Sequence, residues 1–102
     1  MSKSRKPSFA VAKTWKGVCF ESRTGMDGNE YWVGKLHGIE FVLAAVDNGM
    51  FDATCVTLGM EFDSEDSSRS PDHVLDMALT RAIDDIAEEL SMLRSIKRTK
   101  VR

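Results

Sequence analysis

Two tight reversals constrain this chain more than any other feature. His37-Gly38 separates the apolar runs Tyr31–Leu36 and Ile39–Val46, and Asp47-Asn48-Gly49 separates the second run from Phe51–Leu58. Glycine accepts the positive φ that a two-residue connection needs, and Asn-Gly is the strongest short hairpin cue. Three runs joined in this way predict three antiparallel strands. Upstream, Phe9, Val11, Trp15, Val18 and Phe20 predict one more strand over Phe9–Glu21, kinked or bulged at Gly17. Ser22–Asn29, with Gly25, Asp27 and Gly28, reads as a loop. Met60–Asp63 either continues the last strand or opens the exit loop, and 64–70 is a polar loop.

The apolar period then changes from two to between three and four. Ser70-Pro71-Asp72 offers an N-cap serine, a proline at the first helical position and an acid in the positive first turn. Leu75, Leu79, Ala82, Ile83, Ile86, Leu90 and Leu93 follow at the spacing of one buried helical stripe. A helix from Pro71 to about Ile96 would be roughly 39 Å long, at 1.5 Å per residue. A strand of eight residues reaches only roughly 27 Å, so the basic end of the helix is expected to project or fray.

The predicted fold is α+β: a four-stranded antiparallel β-meander followed by one long C-terminal α-helix packed on one sheet face. The 102 residues suit a single domain over 8–96, with a flexible basic arm at 1–7 and a basic tail at 97–102.

One helix covers one face, and a sheet wet on its other face should alternate apolar and polar residues. Ile39–Val46 does not alternate: Ile39, Phe41 and Leu43 oppose Val42, Ala44 and Val46, with Glu40 the single charge. In Phe9–Glu21, Trp15 and Cys19 oppose Val18 and Phe20. Both faces read as apolar, so the bare one is expected to meet another chain, most simply a second copy in a two-fold dimer.

Charge is segregated along the chain. Residues 1–16 and 94–102 each carry five basic residues and no acid; between them stand four basic residues and all sixteen acids, a formal charge of −12. Such a pattern bears on partners rather than fold. The acidic candidates for engaging a basic target are Glu61, Asp63, Glu65 and Asp66, leading into the helix, and Asp84, Asp85, Glu88 and Glu89 on it. Asp84/Glu88 and Asp85/Glu89 are like-charge i,i+4 pairs, which Arg81 can partly offset. The basic ends supply Lys3, Arg5, Lys6, Arg94, Lys97, Arg98, Lys100 and Arg102 as candidate phosphate contacts. Trp15, Tyr31 and Trp32 could stack on bases, though the acidic body would repel the same phosphates.

Catalytic and metal signatures do not emerge. Cys19, His37, Cys55 and His73 lack the close C-x₂₋₄-C pairing of zinc knuckles, so no metal is expected. The acids lack the order of a calcium loop, and there is neither a phosphate-binding glycine loop nor a Ser-His-Asp pattern. No cofactor is expected. The basic, polar Met1–Pro7 with no apolar run behind it is unlike a secretory signal, no stretch is long and apolar enough for a membrane span, and two distant cysteines suit a reducing interior; the expected setting is cytoplasmic. The expected function is a non-enzymatic protein-binding module, a small regulator, adaptor or inhibitor, homodimeric and with an acidic surface for a basic target. The alternative is a nucleic-acid-binding protein using its basic arms.

Overall fold

The structure, a computed structural model, describes residues 14–99. It is α+β, with strands β1 (Thr14–Trp15), β2 (Val18–Cys19), β3 (Glu21–Thr24), β4 (Glu30–Leu36), β5 (Ile39–Ala45), β6 (Phe51–Thr57) and β7 (Met60–Asp63), then helix α1 (Pro71–Arg98). Strands β3 to β7 form one antiparallel meander in sequence order, and β1 and β2 form a separate two-stranded hairpin. The main sheet thus has five strands where the sequence predicts four.

The additional strands arise at turns without a strong residue signal. Leu58 (φ 54°) and Gly59 (φ 74°) reverse the chain so that Met60–Asp63 pairs back on β6 as a strand of its own. Lys16 (φ 49°) and Gly17 (φ 84°) do the same upstream, so the expected single strand over Phe9–Glu21 is instead a hairpin followed by β3; its first residues, 9–13, lie outside the described residues. The reversal also resets the alternation. Trp15 and Val18 become cross-strand partners buried on the same side, and Cys19 is exposed, so the expected opposition of Trp15 to Val18 does not occur. The expected loop at Ser22–Asn29 begins only after Thr24, because Ser22 to Thr24 pair with Glu30 to Trp32 as the sheet edge.

One face of the sheet carries the core. Trp32, Phe41, Leu43, Phe51, Ala53, Cys55 and Phe62 point from β4–β7 toward Val74, Leu75, Ala78 and Ala82 of α1. The β1–β2 hairpin closes the rest of that face: Trp15 meets Phe41 edge-on at 5.1 Å, and Lys16 reaches Asp76 of the helix at 3.8 Å. Helix and hairpin therefore lie side by side on one layer.

The opposite face has no covering element among the described residues, but it is not uniformly apolar. The register puts Val33, Val42 and Thr54 in one row, bounded by Glu21 and Asp63. Neighbouring rows run Arg23, Tyr31, Ala44, Asp52 and Lys35, Glu40, Val56, Glu61. The expectation of a second wholly apolar face thus reduces to a half-buried strip of short side chains inside a charged rim. The reason is alternation: β4 and β6 switch between buried and half-exposed residues along their length, and only β5 is apolar on both sides.

Candidate functional site

The helix holds the least ordinary surface. Its start is firmly set: Ser70 Oγ accepts from the His73 backbone N–H at 3.3 Å, Pro71 needs no donor there, and Asp72 sits in the positive first turn. From there 28 residues of helix extend about 42 Å at 1.5 Å per residue. A seven-residue strand such as β6 spans roughly 23 Å. The two lengths cannot match, and the helix runs off the sheet.

Burial records where this happens. Val74, Leu75 and Ala78 are wholly buried and Ala82 nearly so, while Ile86 is the last helical residue that packs against the core. Ile83, still over the sheet, is already 56% exposed, and beyond the sheet Leu90, Leu93 and Ile96 are 43%, 55% and 69% exposed. The expectation of one continuous buried stripe is therefore corrected: its first half is core, and its second half meets solvent. Leu79, Ile86 and Leu93 stand seven residues apart on one line of the helix, so the exposed half continues the face that covers the sheet. Large aliphatic residues that recur along one side of a helix while exposed are not scattered surface apolar residues but a patch.

Where the helix leaves the sheet there is an apolar hollow of about 300 Å³, floored by Ile39, Cys55 and Thr57 and roofed by Ile83, Ile86 and Ala87. Cys55 lies 1% exposed, and burial pushes its thiol pKa up. It is protonated and unreactive at neutral pH, which suits a core residue rather than a nucleophile.

The eight acidic candidates do not form one patch. Glu65, Asp84 and Asp85 come together in a shallow groove along the outer side of the helix, joined by His73, Asp76 and Arg81. Arg81 holds Asp85 at 4.0 Å and donates to the Asp63 carbonyl at 3.4 Å, which ties the helix to the exit from β7. Glu61 and Asp63 project from the other side of the sheet, opposite buried Phe62, where Asp63 accepts from Thr54 Oγ1 at 2.9 Å. Asp66 is exposed in the loop, and Glu88 and Glu89 are exposed one turn beyond the groove. Sequence weighs His73 only as a metal ligand and does not place it or Asp76 beside these acids, since groove membership depends on how the 64–70 loop folds back, with Phe51 and Ser68 exchanging backbone hydrogen bonds.

Of the basic candidates, Arg94, Lys97 and Arg98 are exposed on the last turns of the helix. Lys3, Arg5, Lys6, Lys100 and Arg102 lie outside the described residues. Among the described residues no three His, Cys, Asp or Glu side chains converge as a metal site, and no helix is long and apolar enough to cross a membrane.

The chain matches no family model, no curated protein and no solved structure.

Proposed function

We propose that the protein is a non-enzymatic protein-binding module whose interface is the overhanging half of α1. One observation carries this reading: Leu90, Leu93 and Ile96 stand exposed on the helix beyond Ile86, its last residue packed against the core, and Ile83 is exposed at the roof of the apolar hollow just before them. Exposed aliphatic residues at this spacing cost solvation unless a partner covers them, and an amphipathic helix is a common way to present such a face. Asp84, Asp85, Glu88 and Glu89 adjoin the stripe and supply the acidic surface that a basic partner would meet.

The test places a photo-crosslinking amino acid at position 93 and, as a control, at position 22 on the β3 edge, in nuclease-treated native lysate. The reading expects a protein adduct from position 93 that is absent from position 22. No adduct at 93, or adducts only to nucleic acid in untreated lysate, would overturn it.

A further inference from the structure

The chain's own charge distribution supplies an occupant for the exposed stripe. Along its second half the helix is divided: Asp84, Asp85, Glu88 and Glu89 come first and Arg94, Lys97 and Arg98 last, with Leu90 and Leu93 between them. A helix of this polarity is complementary to itself turned end for end.

We propose that the partner is a second copy, and that two chains pair by antiparallel overlap of their overhanging helices. This rests on the stripe being a protein interface. In that arrangement Leu90 of each copy packs against Leu93 of the other across a two-fold axis. The acidic turns of each lie beside the basic turns of the other. Ile96 of the second copy arrives next to Ala87 and Ile86, at the mouth of the apolar hollow over Ile39, Cys55 and Thr57. One pairing thereby covers the stripe, the hollow and the split charge together. The basic target of the acidic turns is then the chain's own C-terminal end.

Parallel pairing does not fit the same surfaces. It sets acids against acids and bases against bases along the axis. It also fails on space. The stripe continues the face that covers the sheet, so a parallel partner helix, followed back toward its start, would run into the layer occupied by Phe41, Leu43 and Cys55 beneath Val74 to Ala82. An antiparallel partner enters from the free end and lies beyond the Ile39 and Thr57 ends of β5 and β6.

The test is the mass of the full chain in solution by sedimentation equilibrium, followed by disulfide trapping. The chain should be a dimer at tens of micromolar. Leu90→Lys and Leu93→Lys, both at exposed positions, should leave the circular dichroism of the fold intact and raise the dissociation constant at least about ten-fold each, as expected for replacing a buried leucine at an interface by a charge. Raising the salt should weaken the pair. In a Cys19→Ser background, Leu90→Cys and Leu93→Cys chains should form a mixed disulfide when combined and little when oxidised alone. A monomer at these concentrations would overturn the proposal, as would self-linking of Leu93→Cys alone, which marks parallel pairing. A monomeric chain that still crosslinks to a different protein from position 93 would sink the self-pairing and leave the interface standing.

Discussion

Gly34 on β4 lies directly beneath Val18 of the hairpin: a Cβ built on Gly34 would stand 2.5 Å from Val18 Cγ1 and 2.8 Å from the Cys19 carbonyl oxygen. The absence of a side chain at this one position lets the β1–β2 hairpin rest on the sheet and brings Trp15 against Phe41. Its backbone φ is not in the left-handed region, so the requirement is one of space. Gly34→Ala should therefore act by lifting the hairpin, with a loss of roughly 1–3 kcal/mol, the usual cost of overpacking. Thermal or urea unfolding measures it, and Trp15 fluorescence should shift toward that of a wetter ring. An unchanged midpoint would mean that the hairpin is not seated on Gly34.

The helix start makes a second prediction. Ser70→Ala removes the oxygen that accepts from the His73 N–H and should cost about 1 kcal/mol, whereas Ser70→Asp, which can still accept, should cost little. Urea denaturation of the two variants distinguishes the cap from a general effect of changing the loop.

Burial of Cys55 gives a third, with a definite sign. The folded thiol has its pKa raised above that of the unfolded chain, so between the two values the folded state holds a proton that the unfolded state has lost. Stability from this group is complete below the ordinary thiol pKa and declines as pH rises through the folded one. Unfolding free energy should fall at alkaline pH, and Cys55→Ala should flatten that slope while lowering stability overall. In the native protein an alkylating reagent should modify exposed Cys19 and spare Cys55.

The parts of the fold legible in the sequence are those with a local physical cause. His37-Gly38 and Asn48-Gly49 were readable because histidine and asparagine, like the glycine after each, enter positive φ more readily than most residues, and both pairs adopt it. Lys16-Gly17 and Leu58-Gly59 take the same conformation, but neither lysine nor leucine favours it; strand pairing on both sides imposes it, and no window of sequence shows that. The helix was legible from Ser70 onward, and its projection from a comparison of lengths. Which half of the stripe would be buried was not, because Leu75 and Leu93 have the same character in sequence and differ only in whether the sheet reaches them. The acidic candidates divided for a similar reason: Glu61 and Asp63 alternate with Phe62 and are thrown to the far side of the sheet, away from Asp84 and Asp85.

Amide hydrogen exchange across 87–98 tests the covered helix most directly, since an isolated overhang of about three turns is too short to hold its own hydrogen bonds strongly in water. A chain whose stripe is covered should protect these amides at tens of micromolar, lose much of that protection on dilution, and lose it at all concentrations in Leu93→Lys, while the amides of β5 and β6 stay slow throughout. Rapid exchange over 87–98 in the native chain at every concentration, indistinguishable from Leu93→Lys, would contradict the claim that this end of the helix is an interface between copies.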